Sequence, residues 1–261
     1  MRLLFLGDIV GRAARVVLRD RLRELRKSAA IDLVVANGEN ASGGKGIKPE
    51  AFEELLDAGI DVVTTGNHVW QYRQLEPVLD REARLLRPAN LPTGNPGHGV
   101  TRVRARDGTE VVVVNLIGRV FLGISDCPFL EADRILEAER ARGGMVFVDM
   151  HAEATSEKVA MGWHLDGRVA AVAGTHTHVQ TADERILPGG TGYITDVGMC
   201  GPIDSVIGMR TEQVLYRFRT QRPVHFDVAR GPIWIQGAVF DLDPEGGRCR
   251  SVERLRLDAR P

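Results

Sequence analysis

The sequence predicts an α/β fold, and two features of its pattern carry that prediction. Short apolar runs rich in β-branched residues alternate with longer amphipathic segments, which is typical of βαβ units with right-handed crossovers. Near the end of the chain, two apolar runs separated by Pro-Glu-Gly-Gly indicate an antiparallel pair. The 261 residues can bury a substantial core. We therefore expect a single domain, 1–261, with one mixed sheet or two sheets packed face to face.

The first half of the chain alternates strictly between strand and helix. The predicted order is strand Leu3–Leu6, helix Ala13–Lys27, strand Ile31–Ala36, helix Pro49–Ala58 and strand Ile60–Thr65. A proline at the first turn and Gly59 after the last turn mark the ends of the second helix. The Pro/Gly/Asn-rich stretch 87–99 predicts a surface loop within the domain.

The second half continues the alternation and then becomes antiparallel. We predict strands at Val111–Leu116, Met145–Met150 and Val169–Ala173, helices at Glu131–Arg142 and Glu157–Leu165, and antiparallel strands at Ile233–Leu242 and Val252–Leu257. Arg102, Arg104 and Arg106 alternate, so they share one face of a further strand. A solvated sheet edge is favoured there over an RNA-binding stripe.

Composition restricts the partners and the compartment. The formal net charge of −1 gives no overall field toward nucleic acid or anionic membrane. No apolar stretch approaches the roughly 20 residues that span a bilayer, so we expect no membrane contact. Three cysteines without CxxC spacing fit a reducing compartment, and we expect a cytoplasmic protein. The apolar, Gly/Pro-rich tail leads us to expect a homo-oligomer.

Side chains that can bind metal ions follow five of the predicted strands. They are Asp8, Glu39, Asn40, Asn67, His68, His151, His176 and His178. Ligands of open α/β sheets gather beyond the carboxyl ends of the strands, where these residues would meet. Two carboxylates, two amide oxygens and three or four imidazoles exceed the four ligands of one closed zinc site, so the set predicts two ions. Imidazole-rich ligation favours iron, manganese or zinc over magnesium or calcium.

Several of these residues also have simpler interpretations. Asp8 alone could be a helix N-cap, and His151 alone could be a hydrogen-bonded core histidine. The pair His176 and His178 favours metal binding, because alternate residues of an extended segment face the same way.

Three nearby features stay outside the predicted site. Glu153 and Asp196 could orient ligand imidazoles or be ordinary loop residues. The run 43–46 lacks the Walker pattern and predicts a flexible loop at the mouth of the site.

The order of these motifs resembles the calcineurin-type metallophosphoesterases, and within them the YmdB-like phosphodiesterases. The motifs are Gly7-Asp8-Ile9-Val10-Gly11, Asn37-Gly38-Glu39-Asn40, Thr65-Gly66-Asn67-His68, the segment 151–158, Gly174-Thr175-His176-Thr177-His178 and Thr195-Asp196-Val197-Gly198-Met199. The resemblance implies a four-layer αββα sandwich with mixed sheets. It also implies a metal-dependent phosphodiesterase that hydrolyses 2′,3′-cyclic or 3′,5′-cyclic nucleotides.

The resemblance further implies a role for each residue. The first ion would be held by Asp8, Glu39, Asn40 and His178, and the second by Glu39, Asn67, His151 and His176, with Glu39 bridging. We expect iron or manganese, with zinc as a further option. A hydroxide between the ions would attack phosphorus, and His68 would protonate the leaving oxygen. The chain departs from the superfamily at Val10, where a histidine is usual, and at Glu39, where the bridging residue is usually aspartate.

Two other functions stay open beside hydrolysis of a small-molecule phosphodiester. The same site could serve a phosphatase or an RNA-end phosphoesterase. Alternatively, the chain could be a regulatory scaffold that binds RNA or protein with vestigial catalysis. The complete ligand set and His68 favour an enzyme over a scaffold.

Overall fold

The computed structural model describes residues 1–259, which form thirteen strands and six α-helices. The strands are β1 (Arg2–Leu6), β2 (Asp8–Ile9), β3 (Leu33–Asn37), β4 (Val62–Thr64), β5 (Val100–Arg104), β6 (Glu110–Ile117), β7 (Met145–His151), β8 (Ala171–Thr175), β9 (Arg185–Ile186), β10 (Gly192–Ile194), β11 (Met199–Pro202), β12 (Ile233–Asp243) and β13 (Arg248–Ala259). The helices are α1 (Gly11–Ser28), α2 (Pro49–Ala58), α3 (Glu76–Arg81), α4 (Pro128–Arg140), α5 (Thr155–Leu165) and α6 (Thr211–Thr220). None of the helices in this range is both long and apolar enough to cross a bilayer.

The strands of this range form two mixed sheets. The first has the order β2-β11-β12-β1-β3-β4, with β13 also paired to β12. Strands β1, β3 and β4 are parallel, whereas β12 is antiparallel to β1. The second sheet has the order β5-β6-β7-β8-β10-β9. Its central strands β6, β7, β8 and β10 are parallel, and β5 and β9 close its two edges in antiparallel pairs.

Alternation along β1 shows how the layers stack. Leu4 and Leu6 pack into a core with side chains of α1 and α2, whereas Leu3 and Phe5 face the second sheet. The other face of the second sheet packs on α4 and α5. The layers are therefore helix, sheet, sheet and helix, and the predicted four-layer αββα sandwich is confirmed.

Three aromatic rings join the two sheets. The ring of Phe147 in β7 packs edge-on against Phe5, with centroids 5.0 Å apart, and against Phe240, with centroids 5.8 Å apart. All three side chains are completely buried. This contact fixes the spacing of the sheets, and so the distance between the side chains that follow their strands.

Each helix and strand predicted from periodicity is present within the described residues. The largest difference in position is at β13, which begins at Arg248 rather than Val252. The short strands β2, β9, β10 and β11 and helices α3 and α6 were not predicted. Strands of two to four residues leave no periodic pattern, and α6 buries only Val214 along its length.

The stretch 87–99 is not entirely a surface loop, so that prediction is wrong for its first residues. Arg87, Pro88 and Asn90 are buried. The Asn90 amide donates to the carbonyl of Ile117 at 2.8 Å and accepts from the N–H of Ile117 at 2.9 Å. The loop is thereby attached to the end of β6.

The arginines of β5 lie at an edge of the second sheet and are paired with carboxylates. Arg102 Nε donates to Glu139 at 2.7 Å, and Arg104 lies 3.3 Å from Glu110. Arg106 lies beyond the end of the strand. These pairs give no support to an RNA-binding stripe.

We predict that Phe147→Ala lowers the free energy of unfolding by about 3–5 kcal/mol, because the cavity would open between the two sheets. Urea unfolding followed by circular dichroism measures this loss. Phe147→Leu is the matched control and should lose clearly less, since it keeps most of the buried volume. A loss below roughly 1 kcal/mol in the alanine variant would show that the aromatic contact does not set the sheet spacing.

Candidate metal centre

The predicted site lies where the carboxyl ends of both sheets meet. The first sheet contributes Asp8, Glu39, Asn40, Asn67 and His68, and the second contributes His151, His176 and His178. The structure brings all eight into one connected set, in which each side chain lies within 3.6 Å of another member. None of the predicted residues falls elsewhere.

One half of this set is centred on His151. Its Nε2 lies 3.2 Å from Glu39 Oε1, 3.0 Å from Asn67 Oδ1 and 3.1 Å from His176 Nδ1. Ligand atoms of Glu39, His151 and His176 all lie within 4.8 Å of one another. Glu39 Oε1 is buried and accepts no hydrogen bond. A buried carboxylate oxygen without a donor, beside two imidazoles, fits a divalent cation.

The other half contains Asp8, Asn40 and His178. His178 Nε2 lies 3.6 Å from Asp8 Oδ1, and His178 Nδ1 donates to the carbonyl of Ile207 at 2.8 Å. That hydrogen bond places the proton of the neutral ring on Nδ1, and Nε2 of that tautomer can ligate a metal ion. The amide nitrogen of Asn40 faces His178 at 3.0 Å, and its oxygen faces His68 Nδ1 at 3.1 Å. A ligand role for Asn40 therefore requires its amide to turn by about 180°.

Gly66 allows the end of β4 to approach the cluster. A Cβ atom at this position would lie 2.2 Å from the His151 ring and 2.3 Å from Glu39 Oε2. Only glycine fits there without displacing a predicted ligand. The glycine of Gly-Asn-His is thus part of the site's geometry.

His176 and His178 reach the site through a strained loop rather than an extended strand. Strand β8 ends at Thr175, and the two histidines have φ values of 98° and 64°. The expectation that strand alternation would align them is therefore wrong, although both do reach the cluster. Non-glycine residues in this region cost about 1–3 kcal/mol each and persist only where the surroundings hold them.

Two buried carboxylates hold this loop. The N–H of His176 donates to Asp8 Oδ2 at 3.0 Å, and the N–H and hydroxyl of Thr177 donate to Asp196 Oδ2 at 3.2 and 2.7 Å. Lys158 Nζ lies 2.7 Å from the same oxygen of Asp196, and both side chains are buried. The sequence left the role of Asp196 open, and in the structure its carboxylate holds this loop in place.

His151 is oriented by a chain of hydrogen bonds that the sequence analysis missed. Its Nδ1 lies 2.9 Å from Thr175 Oγ1, which donates to Asp149 Oδ1 at 2.7 Å. Thr64 also donates to Asp149, at 2.6 Å, and burial raises the pKa of Asp149 to about 6. A carboxylate inside the apolar run Met145–Met150 was the signal that could have revealed it.

Glu153 contacts His176 from outside the cluster. Its carboxylate lies 2.9 Å from His176 Nε2, whereas His176 Nδ1 faces His151. A carboxylate on the far nitrogen fixes the tautomer of a ligating imidazole. Of the two interpretations left open for Glu153, the geometry favours the orienting role.

The buried carboxylate of Glu39 favours positive charge in the cluster. Burial opposes ionisation of Glu39, yet His151 and His68 hold the pKa of Glu39 well below its usual range. Burial would lower the pKa of His151, but Glu39 outweighs it and raises that pKa to about 9. Burial and neighbouring His151 lower the pKa of His176 to about 4, which keeps it neutral, as metal ligation requires.

Val10 stands where the resemblance leads one to expect a histidine, and it has a packing role. Its side chain is completely buried, and a Cβ on Gly208 would lie 2.7 Å from it. Gly208 belongs to a tight turn, closed by reciprocal backbone hydrogen bonds between Val206 and Met209 at 2.9 and 3.0 Å. Val10 therefore supports the turn whose Ile207 carbonyl holds His178.

A cavity of about 360 Å³ opens directly onto the cluster. Glu39, His68 and His176 line it, and so do Gly44 and Lys45, so the loop 43–46 lies beside the site as predicted. The fold is that of the metallophosphoesterases, and the cluster beside this cavity contains a group that could hold a metal ion.

Comparisons with known proteins identify the family within this class. Residues 4–255 match the family model described as YmdB-like protein, and the chain belongs to that family. The 2′,3′-cyclic-nucleotide 2′-phosphodiesterase of Bacillus subtilis is 46% identical over 258 residues, which cover 99% of this chain and 97% of that protein.

Two solved structures are similar over nearly the whole chain. A hypothetical protein from Thermus thermophilus superposes with a TM-score of 0.93 at 41% identity, covering all of both chains. A phosphatase from Mycoplasma pneumoniae superposes with a TM-score of 0.92 at 35% identity, covering 99% of this chain and 94% of the other. The predicted phosphoesterase class is thereby confirmed, whereas the ligand role of each residue stays a prediction.

We predict that Thr175→Val weakens metal binding by about 10–100-fold, because His151 loses the hydrogen bond that fixes its tautomer. Titration of the metal-free protein with Mn²⁺, followed by electron paramagnetic resonance, measures the affinity. Thr101→Val, in the outer strand β5 of the same sheet, is the matched control. Equal affinity in the Thr175 variant and the wild type would show that this hydrogen-bond chain does not orient His151 for metal binding.

Proposed function

We propose that the chain is a dinuclear metal-dependent phosphodiesterase that hydrolyses cyclic nucleotides, and 2′,3′-cyclic nucleotides in particular. The observation that carries the proposal is the convergence of eight ligating or proton-carrying side chains from both sheets into one connected cluster, five of which line a cavity. The name of the Bacillus subtilis relative supports the substrate class. We further propose that residues 1–261 act as one domain in the cytoplasm, where the three unpaired cysteines would stay reduced.

The residues divide into two groups of ligands. Asp8, Asn40 and His178 would hold one ion, Asn67, His151 and His176 would hold the other, and Glu39 would be shared. When bound, two divalent cations supply Lewis acidity, which lowers the pKa of a water molecule and neutralises charge on the phosphoryl oxygens. The mixed carboxylate, amide and imidazole donors suit iron or manganese, and zinc also fits.

His68 would protonate the leaving oxygen. Its Nδ1 lies 3.2 Å from Glu39 Oε1 and 3.1 Å from Asn40 Oδ1. Both contacts hold the ring in one orientation. Nδ1 is therefore occupied by these contacts. Nε2 is the atom left to give its proton, and His68 lines the cavity in which the substrate would sit.

Anaerobic reconstitution with iron or manganese, followed by parallel assays, tests this function. We expect cyclic nucleotides to be hydrolysed with a higher kcat/KM than phosphomonoesters. Glu39→Gln should lose both ions together in elemental analysis, because the shared carboxylate would no longer balance their charge. Glu54→Gln, at an exposed ion pair with Arg15, is the control. Two ions retained by the Glu39 variant would refute the shared ligand.

We predict that His68→Ala lowers kcat about 10²–10⁴-fold on cyclic nucleotides, whose alkoxide leaving groups need a proton. The loss on a p-nitrophenyl diester should be far smaller, since nitrophenolate leaves without one. Both reactions are compared at saturating substrate, with metal content matched between variants. Equal losses on the two substrates would exclude His68 as the general acid.

A further inference from the structure

We propose that the apolar wall facing the metal-ligand cluster is a nucleobase subsite for a mononucleotide. The proposal rests on the proposed function and deepens it by assigning the part of the substrate that does not react. The wall consists of the six apolar side chains that line the cavity, Val206, Ile207, Met209, Val214, Phe218 and Phe226.

The dimensions and polarity of the cavity indicate the ligand. A volume of about 360 Å³ lies at the lower end of the range for small-molecule sites. One end carries the ligating and proton-carrying groups, and the other carries only aliphatic, thioether and aromatic side chains. A molecule with one anionic end and one flat apolar end matches this division. A single nucleotide has that shape, whereas inorganic phosphate or a sugar phosphate would leave the wall uncovered.

Phe218 is the ring best placed to stack on a base. It follows Val214 by one helical turn of α6, so both side chains point to the cavity. The Phe218 side chain is 68% exposed, whereas Val214 beneath it is buried. An exposed ring at the mouth of a cavity can stack on a planar ligand, and every nucleobase offers a π face for such contact.

Ile207 connects the wall to the metal-ligand cluster. The φ of Ile207 is 48°, a conformation that β-branched residues rarely adopt. Its carbonyl accepts the hydrogen bond from His178 Nδ1 at 2.8 Å. Backbone strain of this kind is retained at functional sites, where the surrounding structure holds it in place. A base on the wall would therefore sit at a fixed distance from the reacting phosphate.

The chemistry of the wall also determines its selectivity. None of its six side chains carries a strong hydrogen-bond donor or acceptor. Discrimination between bases requires buried polar groups that pair with one base and are left unpaired by another. We therefore expect the 2′,3′-cyclic phosphates of adenosine, guanosine, cytidine and uridine to have kcat/KM values within about tenfold of one another.

The test compares substrates that share the reacting group and differ in the base. Phe218→Ala should raise KM for 2′,3′-cyclic AMP about tenfold, the typical size of a lost base–aromatic stack, with kcat little changed. KM for methyl ribofuranoside 2,3-cyclic phosphate, which has no base, should not change. Phe218→Trp should restore the wild-type KM. Leu215→Ala is the matched control, on the same helix but outside the cavity lining, and should behave as the wild type.

Two results would overturn the subsite. One is an unchanged KM for 2′,3′-cyclic AMP in the Phe218 variant, and the other is an equal change on the substrate that has no base. Either a mononucleotide or the end of an RNA could place a base on the wall. A dinucleotide ending in a 2′,3′-cyclic phosphate distinguishes these two substrates. A kcat/KM below that of the mononucleotide supports the proposal, whereas a higher value would assign the wall to RNA ends instead.

Failure of the proposed function remains distinguishable from failure of the subsite. If the wild type with two ions bound hydrolyses no cyclic nucleotide, the function is wrong. Calorimetry with adenosine, which has no phosphate, still tests the wall. Binding to the wild type that is lost in Phe218→Ala supports the subsite, and the absence of adenosine binding to the wild type overturns it.

Discussion

The contact between Glu39 and His151 is the interaction on which the site depends. Glu39 follows a strand of the first sheet and His151 ends a strand of the second, yet Glu39 Oε1 and His151 Nε2 lie only 3.2 Å apart. That distance exists because the two sheets are packed face to face through Phe5, Phe147 and Phe240. Neither sheet alone presents the whole set of proposed ligands, so the packing of the sandwich brings them together.

Buried polar groups then hold the donors in position. Asp149 fixes His151 through Thr175, and Asp196 holds the backbone of Thr177 while paired with Lys158. Both carboxylates are buried, and a buried polar group is costly unless it is hydrogen-bonded. Their hydrogen bonds are therefore both a condition of folding and the reason that the imidazoles stay aimed at one place.

Much of this arrangement could be predicted from the sequence because it follows from local patterns. Strands β1 and β3 of the first sheet and β7 of the second are largely apolar runs, and polar residues that follow parallel strands of one sheet meet at the same edge. The wall of the cavity could not be predicted. It comes from α6, which buries only Val214, and from Ile207, whose positive φ depends on the packing of Val10 against Gly208.

Similar limits apply to the loop that carries His176 and His178. The His-x-His spacing pointed to the site, but its backbone is held by hydrogen bonds to Asp8 and Asp196, which lie outside the motif. Spacing along a chain contains no information about such partners. The partners of Asp149 are also distant in sequence, so its role could not be predicted from the strand pattern.

Anomalous diffraction from a crystal reconstituted with manganese tests the central claim most directly. We expect two peaks about 3.5–4 Å apart, with the Glu39 carboxylate between them and His151 and His178 on opposite sides. A single peak, or two peaks of which only one contacts Glu39, would contradict the shared-carboxylate centre.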